Sequence, residues 1–186
     1  MENRYYMACL DLQSRSCLVV GGGPVALEKA HGLLAAGARV TVVAPEIVAE
    51  LRGLDVAFVE RPYRTGDLDS MFLVVAATGD TEIDGSVFRD AEERRVFCNA
   101  ADMLDFCSMI LPSVHRDGPI AVAVSTGGAS PALAKRIRRE IAAALRPEYA
   151  QIARDLKALR PWAKRNIGSY AERRDYFEGL LERSLR

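Results

Sequence analysis

Short apolar segments alternate with amphipathic segments over the first hundred residues. The run from Ser16 to Val20 is apolar and ends in three glycines, which predicts a buried strand entering a tight turn. Pro24 suits the first turn of a helix, and the apolar stripe after it continues to Gly37. Further strands are predicted at 39–43, 56–60, 72–76 and 96–99, with a helix at 83–94. The alternation predicts an α/β fold, a Rossmann-type doubly wound parallel sheet.

The pattern changes after the last of these strands. Apolar segments at 109–111 and 120–124 are predicted to be strands outside the first sheet, separated by a turn over 115–119. A helix is predicted to begin at Pro131, with Ser130 as its N-cap. A second, smaller region is therefore predicted to follow the parallel sheet.

The C-terminal third of the sequence is basic and has a helical pattern. Beyond Pro147 helices are predicted up to Arg186, with interruptions at Pro161 and Gly168. From residue 131 onward 14 Lys and Arg stand against 7 Asp and Glu, although the whole chain has no net charge. This surplus could attract nucleic acid or an anionic small molecule, but a solvated helical surface explains it slightly better. Because no recognition motif accompanies the charge, we expect no nucleic-acid partner.

The composition excludes several classes of protein. Hydrophobic residues make up 49% and charged residues 27%, as in ordinary globular domains. No apolar run approaches the roughly 20 residues needed to cross a membrane, and no secretory signal opens the sequence, so we expect a cytoplasmic location and no membrane partner. Without a CxxC pair, the cysteines are predicted to be buried free thiols. These are Cys9, Cys17, Cys98 and Cys107. His31 and His115 form no ligand cluster, so we expect no bound metal.

A dinucleotide-binding fingerprint lies between the first strand and the first helix. Gly21, Gly23 and Ala26 match G-x-G-x-x-A. The first glycine permits the tight turn, the second lets the backbone approach a pyrophosphate, and the alanine keeps the helix close to the strand. The helix N-terminus would present free N–H groups to the phosphates.

Recognition of the ribose is predicted to be unusual. The acidic residue expected at the end of the second strand is missing, because Pro45 lies there and Glu46 comes slightly late. No Arg or Lys replaces it, which favours NAD over NADP. Thr78 follows the fourth strand at the carboxyl edge of the sheet, where it could hydrogen-bond the cofactor or cap the next segment. The spacing leaves both readings of Thr78 open.

Four stretches of sequence resemble the precorrin-2 dehydrogenase and sirohydrochlorin chelatase module of siroheme synthases. They run in order through most of residues 10–140 and are CLVVGGGPVALEKAHGLLAAGARVTVVAP, VVAATGD, VFCNAAD with ILPS, and VAVSTGGASPALAKRIR. The last stretch is the most specific, because ordinary Rossmann dehydrogenases do not carry SxGGxSP behind the nucleotide domain.

The resemblance implies an activity and an architecture. The family oxidises precorrin-2, a tetrapyrrole, to sirohydrochlorin with NAD, and many members also insert ferrous iron, so Fe(II) or Co(II) is a further expected substrate. It also implies a homodimer, with the active site at the dimer interface. The expected domains are an NAD-binding Rossmann domain at 1–108, a dimerisation and substrate region at 109–146 and a C-terminal helical domain at 147–186. No methyltransferase domain follows, so uroporphyrinogen methylation is expected in another protein.

Fingerprint and resemblance together predict a set of cofactor-binding residues. These are Gly21, Gly23, Pro24, Val25, Ala26, Pro45, Glu46 and Thr78. Asp102 matches the family's functional aspartate. A carboxylate beside the nicotinamide could act as general base for the proton that is lost after the hydride. An aspartate after a strand is also a common turn former, and the residue type alone does not separate the two roles.

The substrate-binding residues are predicted in the second region. They are Ser113, Arg116, Ser125, Thr126, Gly127, Gly128 and Lys135, with Arg136 and Arg139 as further candidates. Basic side chains suit the carboxylates of the tetrapyrrole, and small residues admit its bulk. Thr126 replaces a serine found in some relatives and retains the hydroxyl. The alternative function is an NAD-sensing regulatory module without catalysis, which the SxGGxSP segment and the basic tail disfavour.

Overall fold

The computed structural model describes residues 5–185, which form two compact units that meet between Leu111 and Pro112. The first unit contains a five-stranded parallel sheet, and the second contains a two-stranded antiparallel sheet with three helices. The boundary lies three residues beyond the end predicted for the Rossmann domain. A further division after residue 146 stays a prediction.

Strands and helices alternate through the first unit. Its elements are β1 Ser16–Val20, α1 Pro24–Leu34, β2 Arg39–Val43, α2 Ala49–Arg52, β3 Ala57–Val59, β4 Leu73–Ala76, α3 Thr81–Arg94 and β5 Phe97–Ala100, with short 3-10 helices at Thr65–Leu68 and Leu104–Phe106. Helix α3 begins two residues before its predicted start, because the Asp80 side chain accepts hydrogen bonds from the N–H groups of Glu82 and Ile83 and caps the helix.

The sheet has the strand order β3-β2-β1-β4-β5, and all of its pairings are parallel. In the register, Val20 pairs with Val43 on one side and with Ala76 on the other, and Ala76 pairs with Ala100. The carboxyl ends of β1, β2, β4 and β5 therefore lie side by side. The predicted doubly wound α/β class is confirmed.

Apolar side chains fill both faces of the sheet, as expected for parallel strands that are covered on both sides. Val19 and Val75 point to the face that α1 covers, whereas Leu18 and Val74 point to the face that α3 covers. All four side chains are fully buried. The buried Val-rich strands fix the positions of the loops at their carboxyl ends.

The second unit departs from the predicted strand limits. Its elements are β6 Ser113–Asp117, β7 Ile120–Val124, α4 Pro131–Ala144, α5 Tyr149–Asn166 and α6 Tyr170–Ser184. The predicted turn over 115–119 is wrong, because β6 continues to Asp117 and only Gly118 and Pro119 form the hairpin loop. The predicted strand at 109–111 is also wrong, since this segment has no strand partner and runs beside β5.

Two other expectations need correction. Helix α5 passes through Pro161, so the loss of one backbone hydrogen bond there does not end the helix. All four cysteines are free, but only Cys17 and Cys98 are buried, whereas Cys107 is partly buried and Cys9 is exposed. Gly168 does separate α5 from α6, and Arg186, the predicted end of the helical region, lies outside the described residues. Within the described chain, no helix is long and apolar enough to cross a membrane.

The turn before β4 generates a test of stability against pH. The Arg61 guanidinium binds both carboxylate oxygens of Asp67, at 2.6 and 2.8 Å, and holds the pKa of that carboxyl below its usual value. A lowered pKa in the folded state means stability that is present above the unfolded pKa and lost as the pH falls below it. We expect Asp67→Asn to lower the free energy of unfolding at pH 7, and the deficit to shrink below about pH 4. Urea denaturation of both proteins from pH 7 to pH 3 measures this difference in the free energy of unfolding.

Asp69→Asn is the matched control, because the Asp69 carboxylate is mostly exposed and lies 3.5 Å from Arg94. A deficit of Asp67→Asn that stayed constant from pH 7 to pH 3 would contradict the ionic role of Asp67.

Candidate active site

Three consecutive glycines, Gly21–Gly23, form the turn between β1 and α1, which we call the glycine turn. Gly21 has φ +127°, and a Cβ there would lie 2.3 Å from the carbonyl oxygen of Ala77. A Cβ on Gly22 would lie 1.9 Å from the carbonyl oxygen of Glu46. A Cβ on Gly23 would meet no atom within 4 Å. Two glycines thus allow backbone packing inside the protein, and the third faces open space.

The N-terminus of α1 is uncapped. Its first backbone hydrogen bond runs from Leu27 N–H to Gly23 C=O, so the N–H groups of Val25 and Ala26 precede the helical ladder. Gly23 offers no capping side chain, and the first turn contains no acidic residue. Val25 is 42% exposed, whereas Ala26 is fully buried against the sheet. Open space in front of Gly23 and free N–H groups beside it fit the pyrophosphate of a dinucleotide.

The loop after β2 forms the wall opposite the glycine turn. Val48 N–H donates to the Gly22 carbonyl over 2.9 Å and ties this loop to the turn. A shallow pocket of about 280 Å³ lies between them, and its lining residues are Gly22, Gly23, Glu46, Ile47 and Val48. Glu46 is exposed and is the only charged residue of this lining. Pro45 is exposed next to it and does not line the pocket.

The hydroxyl of Thr78 is committed within the protein. It donates to Oδ1 of Asp84 over 2.7 Å and accepts a hydrogen bond from Asp80 N–H over 3.0 Å. Asp84 is completely buried, and its Oδ2 has no hydrogen-bond partner among the described residues. The Thr78 hydroxyl thus stabilises the turn before α3, whereas the cap of the helix is Asp80. A contact of Thr78 with the cofactor stays a proposal.

Asp102 lies in a tight turn after β5, formed by Ala100–Met103, which we call the Asp102 turn. Asp102 has φ +61°, and Met103 N–H closes the turn on Ala100 C=O over 3.4 Å. Its side chain is exposed and makes no hydrogen bond or ion pair with any residue of 5–185. Ala101 N–H donates to Ala76 C=O, and Ala77 N–H donates to Val20 C=O. The Asp102 turn and the glycine turn therefore lie at the same edge of the sheet, two strand spacings or about 10 Å apart.

The predicted substrate-binding residues belong to the second unit. Ser125 and Thr126 form a turn in which Gly127 N–H donates to Ser125 Oγ, and the Thr126 hydroxyl donates to Ser130 C=O. Gly127 and Gly128 both have positive φ. Ser130 caps α4 as predicted, since its Oγ accepts from Leu133 N–H.

The basic candidates of this unit differ in their surroundings. Arg116 lies on β6 and Lys135 on α4, both exposed. Arg136 is paired with Glu140, whereas Lys135, Arg116 and Arg139 form no ion pair with any residue in the described range. Within residues 5–185 no group of three or more His, Cys, Asp or Glu could hold a metal ion.

Sequence reasoning missed three residues that shape this edge. Gly22 occupies a position of the fingerprint where any residue is allowed. The run of three glycines could still have indicated a close backbone contact there. Asp84 resembled an ordinary surface acid in a polar helix, so only the structure reveals its burial. Asn99 is also buried, and its Nδ2 donates to Met109 C=O over 3.2 Å. The sequence placed Asn99 at the end of a predicted strand but gave no sign of its side-chain contact.

The buried Asp84 generates a prediction about stability. Asp84→Asn keeps an acceptor for Thr78 and replaces a carboxylate, one of whose oxygens has no partner, with a neutral amide that costs less to bury. We expect the free energy of unfolding at pH 7 to rise by about 1 kcal/mol, as measured by urea denaturation. Asp80→Asn is the control, since asparagine caps a helix as well as aspartate does. A loss of stability in Asp84→Asn would contradict the unpaired state of its Oδ2.

Comparisons with known proteins agree with this geometry. A family model described as "Putative NAD(P)-binding" matches residues 8–113, and one described as "Sirohaem biosynthesis protein central" matches residues 117–144. Siroheme synthase of Salmonella typhi is 40% identical over 172 residues, and that of Thioalkalivibrio sulfidiphilus is 38% identical over 182 residues. These matches cover 90% and 96% of this chain but only 38% and 37% of the relatives, so the chain spans well under half of their length.

Among solved structures, "SirC, precorrin-2 dehydrogenase" aligns with a TM-score of 0.77 and 28% identity, covering 95% of this chain and 89% of that one. The resemblance read from the motifs is confirmed. Because the first family model covers more than half of the chain, the protein belongs to the NAD(P)-binding family which that model describes, followed by a sirohaem biosynthesis central region.

Proposed function

We propose that this protein oxidises precorrin-2 to sirohydrochlorin, with NAD as the hydride acceptor. Two features at the same edge of the sheet support the proposal. They are the uncapped N-terminus of α1 at the glycine turn and the exposed carboxylate of Asp102. The similarity to a precorrin-2 dehydrogenase over nearly the whole chain and the siroheme synthase relatives support the choice of substrate.

The glycine turn and the first turn of α1 bind the cofactor. Gly23, Val25 and Ala26 hold the pyrophosphate through backbone N–H groups, and Pro24 begins the helix without a donor of its own. Glu46 accepts hydrogen bonds from a ribose, while Pro45 limits the flexibility of the loop. A carboxylate in this pocket repels a 2′-phosphate, and no Lys or Arg lines it to compensate, so NAD is preferred to NADP.

Asp102 is the catalytic base. NAD, when bound, supplies a hydride acceptor, and the substrate must then also release a proton. The Asp102 carboxylate has no competing partner among the described residues, so it is available to take that proton. One hydride and one proton leave the substrate in each turnover, which gives sirohydrochlorin, NADH and a proton.

The second unit recognises the carboxylates of the tetrapyrrole. Lys135 and Arg116 are exposed cations without an ion-pair partner in the described chain, so binding an anionic substrate breaks no existing pair. Ser113 and the turn Ser125–Gly128 supply hydroxyl and N–H groups for the same purpose, and the small side chains leave room for a macrocycle. Arg136 contributes less than its neighbours, because Glu140 already neutralises it.

The active form is a homodimer. Helix α4 exposes Leu133 and Ile141, which are 51% and 38% accessible, and β7 leaves alternate alanines exposed. Apolar side chains on one helix and one hairpin favour association with a second copy of the same surface.

The glycine turn gives a sharp test of cofactor binding. In Gly23→Ala the new methyl group meets no protein atom, and the φ of −92° suits alanine, so the fold is retained. The methyl group occupies the space proposed for the pyrophosphate, and we expect the Kd for NAD to rise at least about 10-fold. Calorimetric titration with NAD and thermal unfolding measure the two effects.

Gly32→Ala is the matched control, because Gly32 lies in the same helix and also faces open space. It should leave NAD affinity unchanged. Equal NAD affinities of Gly23→Ala and Gly32→Ala would exclude the glycine turn as the phosphate site.

The base assignment is tested by Asp102→Asn. Asparagine retains the size and tolerates a positive φ, so the turn is kept while the proton acceptor is lost. We expect kcat for NADH formation from enzymatically made precorrin-2, under anaerobic conditions, to fall by about 100-fold or more, with NAD affinity unchanged. Addition of Fe(II) or Co(II) after oxidation then reports whether the metal is inserted, from the macrocycle spectrum.

A wild-type rate of NADH formation in Asp102→Asn would show that Asp102 is not the base. Binding of NAD without any oxidation or binding of the tetrapyrrole by the wild-type protein would instead favour the regulatory, NAD-sensing function.

A further inference from the structure

The exposed edge of β5 is covered by a segment of the same chain, Cys107–Met109, which we call the edge segment. Strand β5 is the outermost strand of its sheet, so its outward N–H and C=O groups need partners beyond the sheet. Cys98 N–H donates to Ser108 Oγ over 2.9 Å, and Cys98 C=O accepts from the N–H groups of Ser108 and Met109 over 3.0 and 3.1 Å. The edge segment thus follows β5 without being a strand.

The thiol of Cys107 continues this covering into the Asp102 turn. Its Sγ accepts a hydrogen bond from Ala100 N–H over 3.3 Å and lies 3.3 Å from the carbonyl oxygens of both Ala100 and Met103. Asn99 Nδ2 also points to the sulfur, at 3.5 Å. Burial raises the pKa of the Cys107 thiol, so at neutral pH the group retains the proton that it donates to one carbonyl at a time.

The Asp102 turn needs such support. Asp102 has a positive φ, a conformation that aspartate adopts more readily than most residues but less readily than glycine. The closing backbone hydrogen bond, from Met103 N–H to Ala100 C=O, measures 3.4 Å, longer than the usual range. Apart from this bond, the Cys107 thiol contacts polar backbone atoms at both ends of the turn and so joins Ala100 to Met103.

We propose that Cys107 is the positioning residue of the catalytic aspartate: its thiol holds the Asp102 turn closed and thereby fixes the direction of the Asp102 carboxylate. This role rests on the proposed function for its catalytic consequence. Cys107 touches neither the cofactor turn nor the exposed carboxylate, so it takes no part in the proton transfer itself.

The test compares Cys107→Ala and Cys107→Ser with Cys17→Ala. Cys17 is also a free thiol of the first unit, but it lies near the amino end of β1, the central strand of the sheet. We expect Cys107→Ala to lower kcat for precorrin-2 oxidation about 10-fold, because a misplaced base transfers the proton less efficiently. The KM for NAD should change less than about 2-fold, since the glycine turn is untouched. Cys107→Ser, which retains a donor and an acceptor, should recover part of the loss.

A second measurement does not depend on catalysis. Backbone amide exchange of Ala100 reports the hydrogen bond to the Cys107 sulfur directly. It should be faster in Cys107→Ala, by about 10-fold, and unchanged in Cys17→Ala. Equal Ala100 exchange in the two variants would overturn the proposal.

The kinetic outcomes separate this inference from the proposed function. If the wild-type protein does not oxidise precorrin-2, the proposed function is wrong. If Asp102→Asn is fully active, the assignment of Asp102 as the base is wrong. In either case the catalytic consequence of Cys107 falls as well. If the wild type is active, Asp102→Asn is inactive and Cys107→Ala matches Cys17→Ala in kcat, only the positioning role of Cys107 is wrong.

Discussion

The close packing of the Gly21 backbone against the carbonyl of Ala77 is the constraint on which the active-site edge depends. A single Cβ at Gly21 would approach that oxygen to 2.3 Å, so β1 and β4 can end side by side only because the side chain is absent. The same holds for Gly22 and the Glu46 carbonyl on the other side. These two contacts bring the loops after β1, β2 and β4 together. They leave Gly23 facing open space, where we propose that the cofactor binds.

In this arrangement the strands and the loops have different roles. The buried valines of the strands provide rigidity, and the loops at the carboxyl ends provide polar groups. The glycine turn offers donors without a side chain, Glu46 offers an acceptor, and Asp102 offers an exposed carboxylate. Asp84 is the exception. Its buried carboxylate accepts a hydrogen bond from Thr78 and faces no open space. A buried carboxyl group with an unpartnered oxygen costs stability, and its contact with Thr78 holds the loop after β4 in place.

Much of the first unit could be predicted, since buried parallel strands are short apolar runs and since Pro24 and the glycines mark the start of α1 clearly. The second unit was harder. Strand β6 contains His115, Arg116 and Asp117, which read as a polar turn because both faces of a two-stranded sheet are partly exposed and no apolar alternation survives. In the segment 109–111 Met109 lies beside β5, and apolarity alone cannot distinguish such a segment from a strand. The burial of Asp84 and the sulfur contacts of Cys107 are long-range features that no local pattern records.

The covering of β5 has a consequence for the behaviour of the protein at high concentration. An outer strand with free backbone groups is a template on which another molecule can add a strand, and this is a common first step toward aggregation. Here the outward N–H groups of Cys98 and Ala100 are already satisfied by Ser108 and Cys107. At the other margin of the sheet, β3 is only three residues long. Neither margin offers a long unpaired ladder, so growth of the sheet between molecules is discouraged at both ends.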